Sequence, residues 1–343
     1  MIKLAVDAMG GEYAPEIVIK AIFKTLKEEN NLYIYLYGDQ NKIEKIMKQK
    51  YFSDFHQSIK KRISIFHTPL FLKMDIQNTR EELRDNPKNS MFLALQAVKN
   101  KEVDGMVTAG PTQALILSSF LIIKTLPFAK RIVLATIFNS LNNKKIILID
   151  AGANIEIKPE NLLFFALYSS LVLQILFKTQ NHIVKLLNIG TEKNKGRVFE
   201  RELFNLLEKE NRILFKGNEE PKNILNTEAD ILLSDGFTSN MILKSYEGAL
   251  QNSFQIMKEI LTDNWFKKII SKILFYKKIK TIKRKLDYKE IGGAILLGLK
   301  KIVIKAHGDS NEYSFYKAII QAKNLIESNF IDKLHKGLES FQG

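Results

Sequence analysis

The chain has 343 residues, 45% of them apolar, and carries 52 lysine and arginine residues against 37 acidic ones, a formal net charge of +15. It is long and apolar enough for one large or two modest globular domains, and its positive balance favours an anionic partner without naming it. Cysteine is absent, which excludes disulfides, thiolate metal sites and a cysteine nucleophile, and fits a reducing cytoplasm.

Along the chain, short apolar runs end again and again in compact turns of Asp, Gly, Asn, Thr and Ser. The first is Ile2 to Val6 before Asp7-Ala8-Met9-Gly10-Gly11. It enters a strand directly, without the basic and apolar regions of a signal peptide, so export is not expected. A helix over Ile17 to Leu26 follows, then a strand at Leu32 to Tyr37 closed by Gly38-Asp39. Asn89-Ser90 opens a helix over Met91 to Val98, and Met106-Val107 runs into Thr108-Ala109-Gly110 ahead of a helix from Leu115. Ile146 to Ile149 leads into Asp150-Ala151-Gly152-Ala153-Asn154, and Pro159 introduces an apolar stretch from Leu162 to Phe177. That stretch includes Tyr168, Ser169, Ser170 and Gln174 and falls short of the about 20 residues of a bilayer span, so a buried helix is expected. Val184 to Ile189 with Gly190, Ile231 to Leu233 with Ser234-Asp235-Gly236, and Ile302 to Lys305 with His307-Gly308 complete the series.

This strand-then-helix order predicts an α/β fold, a doubly wound and mainly parallel sheet with helices on both faces. Ligands of such sheets bind beyond the carboxyl ends of the strands, so the turns are expected to converge on one crevice. No repeat and no low-complexity linker interrupts the chain. It reads as one α/β domain over residues 1–343, in one or two lobes, with a protruding basic amphipathic helical excursion over residues 250–290.

Between Lys258 and Lys289 lie eleven basic residues and three acidic ones. At about 100° per residue, Trp265, Phe266, Ile269, Ile270, Ile273, Leu274 and Tyr276 share one half of a helix, and Lys267, Lys268, Ser271 and Lys272 the other. Phe275 and Lys277 fall on the wrong sides. Such a helix can lie on an anionic bilayer, where each basic residue contributes about 1 kcal/mol. It can also receive an acidic protein, or serve as a plain helix–helix contact.

Taken together, the turns resemble the phosphate acyltransferase (PlsX) family, the acyl-carrier-protein:phosphate transacylases of bacterial phospholipid synthesis. The resemblance rests on Asp7 to Gly11, Ser90-Met91, Ala109-Gly110 with Thr112, Asp150 with Gly152-Ala153-Asn154, Asn188-Ile189-Gly190, Gly217-Asn218 with Glu220-Pro221, Asp235 to Thr238 with Asn240, Lys244 and Glu247-Gly248, Gly292-Gly293-Ala294 with Leu296-Leu297-Gly298, and His307-Gly308. Glu12 stands where the family usually has Asp, Asn89-Ser90 where Ser-Ser is common, and Pro111-Thr112-Gln113-Ala114 where Asn-Thr-Gly-Ala is usual. The resemblance implies a fold similar to the phosphate acetyltransferases and isocitrate dehydrogenases, a homodimer, no cofactor, and acyl carrier protein and inorganic phosphate as partners. It also implies a cytoplasmic enzyme working at the inner face of the membrane, beside a membrane glycerol-phosphate acyltransferase. Trp265, Phe266, Lys267, Lys268, Ile269 and Lys272 are then the expected membrane or carrier contacts.

In the implied reaction, phosphate attacks a thioester carbonyl and releases a carrier thiol. Phosphate is already anionic at neutral pH, so positioning and oxyanion stabilisation matter more than a strong base. Asp7, Gly10 and Gly11 are candidates to line a phosphate pocket, or else a strand-end cap on a tight turn. Arg84, Lys88 and Ser90 lie at a helix start that attracts an anion, although Asn89 and Ser90 are equally good caps. Thr108, Gly110 and Thr112 offer hydroxyls and a close backbone, and Asn154 can donate to an oxyanion while Asp150 orders its loop. Asp235, Gly236, Thr238, Asn240 and Lys244 form the most chemical cluster. Asn240 and Lys244 are four apart and share a helix face. His307 is a candidate acid for the departing thiolate, since imidazole titrates near neutrality.

Other chemistries find no motif. The chain lacks Gly-x-x-x-x-Gly-Lys-Ser/Thr, Gly-x-Gly-x-x-Gly and Gly-x-Ser-x-Gly, and His56, His67, His182, His307 and His335 have no metal-ligand spacing, so direct displacement without a metal is expected. Rival readings are a short-chain acyl-CoA:phosphate transferase and a non-catalytic acyl- or anion-binding relative. A nucleic-acid binder is disfavoured, because Asp7, Asp150 and Asp235 at strand ends serve no polyanion groove.

Overall fold

The computed structural model describes residues 1–49, 57–127, 129–265, 269, 271, 274–286 and 292–339. Among them eleven strands run in chain order: β1 (Ile2–Asp7), β2 (Leu32–Gly38), β3 (Ile63–His67), β4 (Gly105–Thr108), β5 (Val133–Asn139), β6 (Lys145–Ile149), β7 (Ile183–Leu187), β8 (Leu214–Glu219), β9 (Ile231–Leu233), β10 (Ala294–Leu297) and β11 (Ile302–Lys305). The chain forms two compact units, the first made of Met1–Ala135, Leu167–Gln180 and Ile291–Gly343, the second of Thr136–Ala166 and Asn181–Glu290.

In the first unit the strand order is β3-β2-β1-β4-β11-β10 followed by the start of β5. The run from β3 to β11 is parallel, and β10 lies antiparallel to both of its neighbours. Helices cover both faces, so central strands are apolar without alternation: Leu4, Ala5 and Val6 of β1 are all buried, as is every residue of β4. Helix Glu16–Glu28 turns Val18, Ile19, Ala21, Ile22, Phe23 and Leu26 inward at helical spacing and packs on helix Glu312–Glu327, which buries Phe315, Ala318, Ile319, Ala322 and Leu325. Helix Ser90–Lys99 lies against β1, β2 and β4 and against helix Thr112–Ile122.

One topological feature places the site. From β1 the chain moves outward to β2 and β3, then returns to lay β4 on the other side of β1. The connections after β1 and β4 therefore leave in opposite directions and open a crevice at the strand ends. The turns at Asp7–Gly11 and Thr108–Gly110 stand on its two sides, and the turn after β11 is next in line.

In the second unit β5 ends antiparallel to β6, and β6-β9-β7-β8 run parallel. Strand β9 is inserted last, between β6 and β7, so the turn after Ile149 and the turn after Leu233 are neighbours. A 27-residue helix, Gly236–Thr262, leaves the tip of β9. The helical excursion expected from residue 250 is thus continuous with a helix that begins at the Asp235 cap. Helix Tyr276–Leu286 returns beside it, tied by Tyr246 Oη donating to the Leu286 carbonyl at 2.9 Å. Trp265 and Ile269 are exposed, whereas Phe266, Lys267, Lys268 and Lys272 lie outside the described residues. Helix Pro159–Phe177 is long and apolar enough to cross a membrane by length and composition, yet it buries Leu162, Phe165, Ala166, Leu167, Tyr168, Val172 and Leu173 within the protein.

Phe315 is 1% exposed at the middle of the first unit's helix layer. Truncation to alanine leaves a cavity of ring size, and a loss of about 3–5 kcal/mol is expected for Phe315→Ala, read as a lower urea midpoint at unchanged slope.

Candidate active site

The first unit gathers its site around one buried carboxylate. Asp7, at the tip of β1, is 2% exposed. Ser90 Oγ donates to its Oδ1 at 2.7 Å, the Met9 N–H to the same oxygen at 3.1 Å, and Thr108 Oγ1 to Oδ2 at 2.8 Å. Burial raises the Asp7 pKa above the usual carboxylate value, and the hydrogen bonds from Ser90, Thr108, Met9 and Gly10 pull it back. Thr108 Oγ1 in turn accepts the Gly110 N–H at 2.9 Å. The Ala306 N–H donates to the Thr108 carbonyl at 2.8 Å, and the Glu12 N–H to the Gly308 carbonyl at 2.9 Å, so the turns after β1, β4 and β11 are stitched together. Only glycine fits at position 10, because a Cβ there would stand 2.6 Å from Asp7 Oδ2 and from the Gly110 nitrogen and 2.7 Å from Thr108 Oγ1. Gly11 beside it needs its positive φ of 109°. Asp7 organises this pocket, since its oxygens already accept protein donors.

Two helix starts face different fates. At Ser90–Lys99 the Asn89 side chain accepts the Phe92 N–H at 2.9 Å, and the Ser90 N–H donates to the Leu70 carbonyl at 3.0 Å, so this end is closed. At Thr112–Ile122 the N-cap is Pro111, which supplies no side-chain acceptor. Among the described residues the N-cap side chain satisfies none of the first peptide N–H groups of that helix, which begin at the half-buried Thr112 close to Gly110 and suit an anion. Arg84 is exposed and paired with its neighbour Asp85 at 3.0 Å, and Lys88 is exposed. Neither side chain bonds to the Asp7 cluster.

His307 and two residues missed from the sequence complete this unit's site. His307 Nδ1 and Asp309 Oδ1 share a 2.5 Å hydrogen bond, with His307 exposed and Asp309 half-buried. Such a partner selects which ring nitrogen exchanges protons. Lys305, the last residue of β11, is 7% exposed, and its Nζ donates to the Ala306 carbonyl at 2.6 Å and the Ala109 carbonyl at 3.3 Å. Burial pushes its ammonium down to about 8, opposed by the negative charges of Asp309 and Asp7. The available signal was a lysine closing the run Ile302-Val303-Ile304 directly ahead of a His-Gly turn.

The second unit builds a comparable pair of turns. Asp150 is fully buried, and its carboxylate accepts from the N–H groups of Gly152 (3.2 Å), Ala153 (2.9 Å) and Asn154 (2.8 Å) and from Asn154 Nδ2 (2.7 Å). The Asn154 carbonyl accepts the Gly236 N–H at 2.8 Å, and a Cβ on Gly236 would strike that carbonyl at 2.5 Å. Asp235 caps helix Gly236–Thr262 by accepting the Thr238 N–H at 2.7 Å, and it forms an ion pair with Arg197, which also pairs with Glu200. Arg197 was not singled out from the sequence, because it lies 38 residues from Asp235 on another connection. Asn240 and Lys244 are exposed one turn apart on the helix, with Gly152 packed beside Asn240. An apolar cavity of about 580 Å³, lined by Leu141, Ile224, Leu225, Met241, Ile242 and Tyr246, opens along the same helix. Among the described residues no group of three histidine or carboxylate side chains is placed to hold a metal ion.

The sequence profile of the family described as "Fatty acid synthesis protein" matches residues 2–333. The phosphate acyltransferase of Aster yellows witches'-broom phytoplasma (strain AYWB) is 47% identical over 340 residues, covering 99% of this chain and 92% of that protein. The chain belongs to the phosphate acyltransferase family. It is accordingly an acyltransferase. The phosphate acyltransferase of Acholeplasma laidlawii (strain PG-8A) is 38% identical, covering 97% of each chain. Among solved structures, a phosphotransacetylase from Streptococcus pyogenes aligns with a TM-score of 0.61 at 18% identity, covering 98% of this chain and 94% of that one. A branched-chain phosphotransacylase from Enterococcus faecalis V583 aligns with a TM-score of 0.54 at 13% identity, covering 95% and 100%. At these identities the likeness is one of fold.

Within the family pattern, Pro111 is the informative departure. Where the resemblance leads one to expect an asparagine able to cap, the chain has a proline that offers no side-chain cap.

Two outcomes are expected here. Gly10→Ala forces Asp7 and Gly110 apart, and at least a tenfold fall in phosphate-dependent turnover is expected, with about 1–3 kcal/mol lost from the thermal unfolding free energy. The second concerns pH. Lys305 holds its proton less tightly folded, at about 8, than at the ordinary 10.5. Its burial therefore opposes folding by roughly 3 kcal/mol below pH 8 and is relieved as pH rises towards 10.5. Measured against Lys305→Met, wild-type stability should climb across that interval and run parallel to the variant's below it.

Proposed function

We propose that this acyltransferase moves a long-chain acyl group from acyl carrier protein to inorganic phosphate, reversibly, yielding acyl phosphate and the carrier thiol. The observation that carries the reading is the uncapped start of helix Thr112–Ile122 beside the Asp7–Thr108–Gly110 knot, a set of backbone donors in a rigid, glycine-lined turn. Phosphate held there offers an oxygen that attacks the thioester carbon. The carbonyl oxygen takes negative charge, the carbon–sulfur bond breaks, and His307 with Asp309 behind it supplies a proton to the leaving sulfur. In the second unit, exposed Asn240 and Lys244 present an amide and an ammonium one helical turn apart, groups that suit an anion. The apolar cavity along their helix has the chemistry of an acyl chain.

The carrier and the membrane enter through the basic excursion. Exposed Trp265, Ile269, Leu274 and Tyr276 accompany Lys277, Lys278 and Lys280 on this arm, a composition for an anionic, amphipathic surface. Exposed Ile256, Met257 and Ile260 on helix Gly236–Thr262 support a homodimer. The cytoplasmic face of the membrane is the compartment that fits this reaction.

With ³²P-labelled phosphate and hydroxylamine trapping of acyl phosphate, palmitoyl carrier protein is expected to be turned over at least tenfold more efficiently than acetyl-CoA. Lys244→Ala should lower kcat about 10²-fold, the size of a lost charge-stabilising group, without changing the melting temperature. Equal use of acetyl-CoA would favour a short-chain transferase instead. Trp265→Ser with Ile269→Ser is expected to reduce flotation with phosphatidylglycerol liposomes, and unchanged flotation would count against the membrane contact.

A further inference from the structure

Lys305 has no part in the scheme above, yet it sits directly behind it. It closes a strand that is otherwise Ile302-Val303-Ile304, and it is 7% exposed. An ammonium has three N–H donors. Two are met, by the carbonyls of Ala306 at 2.6 Å and Ala109 at 3.3 Å. Both acceptors are main-chain groups, and the carboxylates that influence it, Asp309 and Asp7, do so through space.

A buried cation without a bonded counter-ion is destabilising, and a hydrophobic side chain of similar volume is commonly tolerated as well or better. Packing alone therefore gives no reason for a lysine here. Its two acceptors suggest one. Ala109 immediately precedes Gly110 and the open helix start at Thr112, and Ala306 immediately precedes His307. Among the described residues, the charges acting on Lys305 include those of Asp7 from β1 and of Asp309, bonded to His307, from the turn after β11. With two carboxylates at its margin, the pocket would repel a dianion unless a positive charge offsets them, and an interior charge acts over a few ångströms with little screening.

Resting on the assignment of this pocket to phosphate, we propose that Lys305 is a positioning and specificity residue, a fixed counter-charge that holds the Ala109 and Ala306 carbonyls and makes the pocket favour a doubly charged tetrahedral oxyanion. It acts from behind the turns and takes no part in bond making. Lys305→Met removes charge and donors at similar volume. Lys305→Gln removes the charge and retains an N–H donor group, on a side chain one bond shorter and with an added acceptor oxygen.

Both variants of the full-length protein are to be titrated with inorganic phosphate by calorimetry and assayed with saturating acyl donor. At least a tenfold rise in phosphate Kd and KM is expected in each, with the acyl-donor KM changed less than twofold and the melting temperature of Lys305→Met equal to or above wild type. Near-wild-type phosphate affinity in either variant would overturn the inference. So would a Lys305→Met protein that fails to fold or loses stability, since the lysine would then be structural. The underlying assignment is separately exposed: wild-type protein that binds no phosphate removes the pocket reading and this inference with it, whereas binding that is indifferent to residue 305 removes the inference alone.

Discussion

A single buried carboxylate sets the geometry of the first unit's site. Asp7 cannot stay charged at 2% exposure without donors, and Ser90, Thr108 and the Met9 amide provide them. Because those donors come from separate connections, satisfying one charge also fixes three pieces of backbone relative to one another. One glycine follows from this. Gly10 stands where the turns are drawn too close for a side chain, and the same closeness lets a ligand meet the backbone itself.

The second unit solves the same problem with Asp150, which gathers three backbone amides and the Asn154 amide, and with Asp235, which caps the long helix and pairs with Arg197. In both units, then, acidic residues organise turns from within, using the Ser90 and Thr108 hydroxyls in the first, while the amides at the start of helix Thr112–Ile122 and the exposed side chains of Asn240 and Lys244 suit an anion. That division is sensible for a transfer to phosphate, whose oxygens need donors and charge rather than a base. It also explains how a strongly basic protein comes to have aspartates at its strand tips.

Much of this was legible along the chain. Parallel strands buried on both faces are short apolar runs, and the tight turns after them demand Asp, Gly and Asn, so β1, β4, β6, β9 and β11 could be read directly. Strands β3 and β8, half-exposed and mixed in composition, and β5 and β10, which break the parallel order, carry weaker signals. The family resemblance drawn from the turns agrees with the match over residues 2–333.

Local composition was thus enough for the alternation of strand and helix, for the turns and for the family, because periodicity, caps and glycine conformations depend on a few neighbouring residues. The roles inside the turns were not decided there. Whether Asn89 closes a helix that Pro111 leaves open, whether Asp7 faces a ligand or three protein donors, and whether Lys305 meets water or the Ala109 carbonyl 196 residues away depend on strand order. Burial and charge are long-range quantities, and only the packed sheet brings together the groups that determine them.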